Sequence, residues 1–357
     1  MKIVTIVGAR PQFVKAAVVS RELRLVPEIT EVFVHTGQHY DPALSDVFFR
    51  ELDLPAPHYH LGIGSGSHGQ QTGAMLSAID ALLQKERPDR VLVYGDTNST
   101  LSGALAAAKL CIPVAHVEAG LRSFNRAMPE EINRVLTDHV ADMLFAPTEA
   151  AIANLAREGI AGTGVRMVGD VMVDAAVTFA GRANASALLH RLKVKSGEYF
   201  LATIHRAENT DDPKRLSAII EALIAALTFG PVIMPLHPRT RDALQRSGLE
   251  ACARDKLSLV DPLGFLDMLA AEKNAKAIIT DSGGVQKEAS WFGVPCLIPR
   301  HETEWVELIQ TGAARLVKPE EIPALLASTQ RGAPAMPDVG AANRVVAALA
   351  EDLARCS

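Results

Sequence analysis

The run KAIITDSGGVQKEASWF, Lys276 to Phe292, carries a strand, a turn and a helix start in one stretch. Lys276–Thr280 is apolar on both sides of its alternation, which suits a parallel strand covered on two faces. Asp281 and Ser282 end it. Gly283 and Gly284 let a ligand approach the backbone closely, and the spacing predicts a helix over Gly283–Phe292. Strand tip, glycine turn and helix N-terminus in this order form an anion-binding unit of a doubly wound sheet.

The same alternation runs outward in both directions. Strands are predicted at Lys2–Val7, Glu31–His35, Arg90–Tyr94, Pro113–Val117, Met143–Ala146 and Val165–Val168, then at Tyr199–Ile204, Pro231–Leu236, Leu257–Val260, Lys276–Thr280, Val294–Ile298 and Ala314–Val317. Amphipathic helices lie between them, among them Pro11–Arg24, Gly69–Glu86, Leu101–Leu110, Thr148–Glu158 and Asp212–Leu227. This pattern means an α/β chain. So many strands are more than one open sheet usually holds, so two sheets are expected. The reading places one Rossmann-like domain at 1–168 and a second at 169–340, facing each other across a cleft. The break falls near Val168–Asp174, and a C-terminal helix, 341–357, packs back on the first domain. Ligands bind at the carboxyl ends of such strands, so the chemistry belongs to the loops that follow them.

Composition narrows the function. The 357 residues are 48% hydrophobic and 22% charged, which excludes a disordered or coiled-coil chain. A net charge of −5 argues against a nucleic-acid coat or a membrane-surface binder. Aromatics at 5% leave no platform for stacking single strands. Cys111, Cys252, Cys296 and Cys356 are scattered, so neither a disulfide framework nor a zinc site is expected. The pairs His58 with His60 and His35 with His39 lack a third ligand, and no metal is assigned. The expected setting is cytoplasmic, since MKIVTIVG opens as a strand rather than a leader and no run is long enough to span a bilayer.

Charged residues collect at strand ends. Arg10 and Lys15 lie at the helix start after the first strand, where anions are favoured. Neither a dinucleotide fingerprint nor a P-loop is present, which counts against NAD and ATP. Asp96 ends the next inner strand, where, taken alone, an N-cap is the better reading. Glu118 ends its neighbour. Glu130 opens a helix after Pro129, and a surface pair with Arg134 is the plainer explanation for it alone. In the second half His205 and Arg206 offer proton transfer and phosphate contact, with His237 a weaker signal. Ser282, Gly283 and Gly284 suit a phosphate, Glu288 a pair of ribose hydroxyls, and Arg300 with the run through Thr303 and Glu304 borders the same edge.

Taken together, GARPQFVK (Gly8–Lys15), YGDTNST (Tyr94–Thr100), HVEAGLR (His116–Arg122), PEEINR (Pro129–Arg134), HRAEN (His205–Asn209) and DSGGVQKE (Asp281–Glu288) occur in an order that resembles the non-hydrolysing UDP-N-acetylglucosamine 2-epimerases. The resemblance covers Met1 to about Val317 and implies the GT-B fold, no cofactor, a UDP-sugar substrate and a homodimer formed through the first domain. It assigns Asp96, Glu118 and Glu130 together to acid–base work, with His205 assisting at the diphosphate or in proton transfer. Arg10, Lys15 and Arg206 would hold UDP by charge, Ser282, Gly283 and Gly284 its diphosphate and Glu288 its ribose. Leu263 and Met268 would hold the uracil. The implied reaction expels UDP from C1, which acidifies the C2 hydrogen. Two groups on opposite faces then exchange the proton before UDP adds back.

Departures from the family pattern are informative. Trp305 replaces an arginine, Gln12 a glutamate and Tyr94 a histidine, and the loop Ser123–Met128 carries an extra Arg126. These features resemble the branch acting on UDP-2,3-diacetamido-2,3-dideoxy-D-glucuronate in lipopolysaccharide O-antigen synthesis, with Arg122 or Arg126 meeting the sugar carboxylate. Gln38-His39 is kept, but the later partners of the family's second UDP-sugar site are altered at His68-Gly69-Gln70-Gln71, so weak or absent activation by that nucleotide is expected. The rival readings are a UDP-N-acetylglucosamine epimerase, a GT-B glycosyltransferase and a non-catalytic sugar-nucleotide sensor.

Overall fold

The computed structural model describes residues 1–38, 49, 51–64, 66–184, 187–335 and 338–356. The chain divides into two compact units, Met1–Thr178 with Asp338–Ser357, and Phe179–Pro337.

The first unit holds a seven-stranded sheet of β1 (Lys2–Val7), β2 (Thr30–His35), β3 (Tyr59–His60), β4 (Arg90–Tyr94), β5 (Val114–Val117), β6 (Met143–Ala146) and β7 (Val165–Met167), in the order β3-β2-β1-β4-β5-β6-β7. Every pairing is parallel. Valines and isoleucines on one face of β1, β2 and β4 pack on Met75, Ile79 and Leu83 of the helix His68–Glu86 and on Ala104 and Ala107 of Asn98–Lys109. The alanines let that second helix lie close to the sheet. Each fully buried aliphatic side chain here stabilises the fold by about 1.5–3 kcal/mol, and Ile79→Ala would open a cavity at the centre.

In the second unit β8 (Phe200–Thr203), β9 (Val232–Pro235), β10 (Ser258–Val260), β11 (Ala277–Thr280), β12 (Cys296–Ile298) and β13 (Ala314–Leu316) form a parallel sheet in the order β10-β9-β8-β11-β12-β13. The order reverses between β1 and β4 in one sheet and between β8 and β11 in the other. In doubly wound sheets those reversals are where loops diverge and ligands enter. No helix among the described residues is long and apolar enough to cross a membrane.

Two expectations shift. β3 was not foreseen; at two residues it is too short to show a period, and it is recruited by pairing with Val34 and His35. The division between units falls at Thr178–Phe179, within the helix Val171–Asn184, not at Val168. The first turns of that helix bury Val171, Val173, Ala175 and Ala176. Its Asp174 caps the C-terminal helix Ala341–Cys356, accepting from the backbone N–H of Gly340 and Ala342 at 2.7 Å each. Arg344 donates to the Val168 carbonyl, and Arg90 pairs with Asp352, so the C-terminal helix joins the first unit.

Candidate active site

In the first unit Gln12 locks the loops after β1 and β4 together. Its Oε1 accepts from the N–H of Gly8 (2.8 Å) and Ala9 (3.0 Å), and its Nε2 donates to the Tyr94 carbonyl and to Thr100 Oγ1, both at 2.9 Å. Lys15 points from the following helix to Glu118, Nζ to Oε1 2.5 Å, with both side chains largely buried. Glu118 holds a left-handed backbone, φ +72°. That conformation costs a side-chain-bearing residue roughly 1–2 kcal/mol and is characteristic of functional sites. Gly95, φ +64°, abuts the same ion pair, and a Cβ there would lie 3.2 Å from Lys15 Nζ. Arg10 is half-buried; burial lowers its proton affinity and Glu51 works against that.

Thr97, not Asp96, caps the helix Asn98–Lys109, its hydroxyl accepting from Thr100 N. The Asp96 carboxylate instead takes Arg134, at 3.0 Å from Nε and 2.8 Å from Nη2. Nη1 of Arg134 reaches Glu131 at 2.5 Å. Glu131 also accepts from the N–H of Ser123 and Phe124, 2.9 Å each, closing the 123–128 loop. Burial opposes its charge, but those hydrogen bonds and Arg134 outweigh it and hold the carboxyl below its ordinary range. Glu130 is half-buried on the turn beside them.

Arg122, expected at the sugar carboxylate together with or in place of Arg126, is held inside the fold. Its Nε and Nη2 form a bidentate pair with Glu158 at 2.8 Å each, and Nη1 meets Asp138 at 2.7 Å and the Leu121 carbonyl at 2.8 Å. With its side chain 1% exposed, it braces the fold and has no free face for a sugar carboxylate. Arg126 is exposed on the loop. Gln38 accepts from the N–H and hydroxyl of Ser99, and Gln71 bridges Asn98 and the Gly64 carbonyl. His39 lies outside the described residues.

In the second unit the organiser is Asp281, a fully buried carboxylate at the tip of β11. It accepts from the backbone N–H of His205 and Arg206 at 3.0 Å and from Asn209 Nδ2 at 2.8 Å. His205 Nδ1 stands 3.4 Å from it, and the ring stacks on His237 with centroids 5.2 Å apart. Burial lowers the proton affinity of His205. Asp281 raises it, and Arg206, Arg239 and Arg300 lower it further, so the net shift favours the neutral imidazole.

The glycine run behaves as two different residues. A Cβ on Gly283 would lie 2.5 Å from Glu304 Oε1 and 2.9 Å from Trp305 Nε1, whereas one on Gly284 would meet nothing within 4 Å. Ser282 starts the helix Gly283–Trp291 and makes no side-chain cap. Glu304 accepts from Arg300 at 3.0 Å and lies 3.6 Å from Arg206. Burial pushes its carboxyl up, but the two arginines prevail and hold it low. Nε of Arg206 is buried with no partner among the described residues. Arg300 also donates to Glu208 at 2.6 Å, and Thr303 to Gln286 at 2.7 Å. Lys287 lies 4.1 Å from the Trp305 ring centroid and 6.0 Å from that of Trp291. Glu288 is buried, and beside it Glu272 is driven well above its ordinary range by burial and by Glu288. Leu263 is buried and Met268 half-buried at the start of the helix Phe265–Asn274.

Thus Lys15, Glu118 and Asp96 stand on the loops around the β1/β4 reversal, with Arg10 on the helix that carries Lys15 and Glu130 on the helix that carries Arg134, while His205, Arg206, His237, Ser282, Gly283, Arg300 and Glu304 stand around the β8/β11 reversal. Among the described residues no His, Cys, Asp and Glu cluster could hold a metal. Sequence reasoning missed the buried partners Gln12, Glu131, Arg134, Asp138 and Asp281. A signal existed in the helix Pro129–Val140. Its polar face of Glu131, Arg134 and Asp138 is buried, while Ile132 (42%) and Leu136 (48%) are exposed. Charged residues at helical spacing inside a ligand loop are the mark of such an inverted helix.

The family profile for UDP-N-acetylglucosamine 2-epimerase matches residues 21–339. A UDP-2,3-diacetamido-2,3-dideoxy-D-glucuronate 2-epimerase of Pseudomonas aeruginosa is 53% identical, over 89% of this chain and 88% of its own. A UDP-N-acetylglucosamine 2-epimerase of Methanocaldococcus jannaschii is 46% identical over 89% and 88%. The crystal structure of the Methanocaldococcus jannaschii UDP-GlcNAc 2-epimerase in complex with UDP-GlcNAc and UDP superposes with a TM-score of 0.92 at 43% identity, covering 98% of this chain and all of that one. The paired doubly wound sheets are therefore the GT-B fold. The chain belongs to the UDP-N-acetylglucosamine 2-epimerase family, a family of isomerases.

Proposed function

We propose that this chain inverts C2 of UDP-2,3-diacetamido-2,3-dideoxy-D-glucuronate, from the gluco to the manno configuration, by eliminating and re-adding UDP. The observation that carries the chemistry is the pair of cation-held carboxylates, largely buried Glu118 on Lys15 and half-buried Asp96 on Arg134, at the reversal of one sheet. The bond from C1 to the diphosphate oxygen breaks with its electrons leaving on UDP. Positive charge at C1 acidifies the C2 hydrogen, which passes as a proton to one acid–base group of Asp96, Glu118 and Glu130. That leaves a glycal and UDP. A proton delivered to the other face of C2 regenerates the cation, and UDP closes the C1–O bond again. Held carboxylates suit such work because their charge and aim are fixed before the substrate arrives.

On this reading the start of the helix Gly283–Trp291, with Arg206, receives the diphosphate, Glu288 the ribose, and Leu263 with Met268 the uracil. The unpartnered Nε of Arg206 and the open space at Gly284 support it. His205, favoured neutral, can accept or relay a proton at the leaving oxygen. The uronic acid is preferred over UDP-N-acetylglucosamine because of the Pseudomonas relative and the exposed Arg126. The archaeal relatives support the plain sugar as the second reading. Proton NMR in heavy water decides: deuterium entering C2 of the uronic acid nucleotide, with no acceptor present, is expected. Exchange only into UDP-N-acetylglucosamine would select the second reading, and exchange into neither would sink both.

A role in surface polysaccharide synthesis, a cytoplasmic location and a homodimer complete the proposal. The exposed apolar face of Ile132 and Leu136 supports the dimer, which light scattering would test.

A further inference from the structure

We infer that His116 is a positioning residue for the acid–base loops, one imidazole fixing the two turns that present Asp96 and Glu118. The inference rests on the proposed role of those carboxylates. His116 sits in β5, fully buried. Its Nε2 lies 2.7 Å from the carbonyl of Gly95, and its Nδ1 lies 2.7 Å from Asp138 Oδ1. The other oxygen of Asp138 accepts from the N–H of Gly120 at 3.0 Å. A single buried string therefore runs from the Gly95 carbonyl, through the ring and the carboxylate, to the Gly120 N–H.

Each end of that string is a left-handed turn beside a reacting group. Gly95, φ +64°, precedes Asp96. Gly120, φ +82°, follows the left-handed Glu118 by two residues. The N–H of Gly95 is bound to the Val117 carbonyl at 2.9 Å, which holds the Tyr94–Gly95 peptide; His116 holds the next one, Gly95–Asp96, and so sets the plane from which Asp96 departs. Gly95 also touches the Lys15–Glu118 pair, so a rotated peptide would disturb both carboxylates together. Asp138 suits the relay: burial disfavours its charge, yet His116 and Arg122 more than compensate. An apolar residue would fill the same volume without tying either turn. A buried polar group that uses both its nitrogens on loop geometry is there for those bonds.

The two nitrogens can be separated by substitution. In His116→Gln the side-chain amide reaches the place of Nε2 and keeps the bond to Gly95. In His116→Asn it reaches only the place of Nδ1 and keeps the bond to Asp138. Each loses one buried hydrogen bond, and the Gln variant, which takes a partner from the buried Asp138 carboxylate, should melt lower than the Asn variant. If the hold on Gly95 is what serves the reaction, the Gln variant keeps kcat within about threefold. The Asn variant loses about a hundredfold in kcat with KM within about threefold, as expected of a misaimed group. Equal kcat in the two variants, or wild-type kcat in the Asn variant, would overturn the inference. Should neither variant fold, NMR of the wild-type ring settles it. A slowly exchanging Nε2–H is expected, and a rapidly exchanging or absent one refutes the assignment. Lack of solvent deuterium at C2 with wild-type protein would instead strike the proposed reaction and leave the ring measurement standing.

Discussion

Lys15 and Glu118 meet across the strand-order reversal of the first sheet, Nζ 2.5 Å from Oε1, between a helix start and a left-handed strand tip. An ammonium so placed can fix the charge and aim of the carboxylate. Lys15→Met should reduce kcat about a hundredfold while leaving UDP affinity within about threefold by calorimetry. Breaking a buried pair also costs about 3 kcal/mol of stability. A tenfold loss of UDP affinity would return Lys15 to the diphosphate-binding role that its position after the first strand suggests.

Arg122 should behave as a structural residue. Removing it strands Asp138 and Glu158, so Arg122→Met should lower unfolding stability by about 3–5 kcal/mol. KM for either sugar nucleotide should be unchanged in whatever folded protein remains. Chemical denaturation with parallel kinetics separates the two effects.

Arg126 should behave in the opposite way. It is exposed, so Arg126→Ala should leave the melting temperature unmoved. If it meets the sugar carboxylate, KM for the uronic acid rises about tenfold and KM for UDP-N-acetylglucosamine does not. Equal KM changes for both sugars, or none, would remove it from the site.

Glu272 sets a slope of stability with pH. Burial, then Glu288, raises its proton affinity well above the ordinary value of 4.5. The folded chain therefore holds a proton that the unfolded chain releases above that value. The stability this confers is full below pH 4.5 and is lost as pH rises toward the folded pKa. Glu272→Gln keeps the shape and removes the titration. Melting curves from pH 5 to 9 should fall less steeply for the variant than for the wild type, whereas parallel curves would place the ionised acid comfortably in the core. (The pH limits are about the range in which most domains stay folded.)

The fold was open to reading because its strands are short aliphatic runs with polar tips, and parallel sheets leave that pattern plainly. The tips themselves were legible too: Asp96, Glu118, His205 and Gly283 all stand where the strand ends place them. What escaped is the layer beneath. Asp138 and Arg134 look like surface charges of an amphipathic helix, and Ile132 and Leu136 look like its core face. The structure reverses this because the loops above demand buried partners, and no local periodicity encodes what a distant loop requires. Asp281 was hidden differently. It stands next to the glycines in the quoted run, yet its partners are mostly backbone N–H groups of another strand's loop, with the Asn209 side chain beside them, and backbone donors carry no side-chain signature.

Lys287 lies between Trp305 and Trp291, and the chain has no other tryptophan. Its tryptophan emission thus comes from one address, a corner where one indole lies against the glycine turn and a buried ammonium stands over it and near the other. An anion settling on that turn would change the field felt by these fluorophores. If the diphosphate docks there as proposed, the protein carries a built-in optical gauge of nucleotide occupancy, readable without label or coupling enzyme.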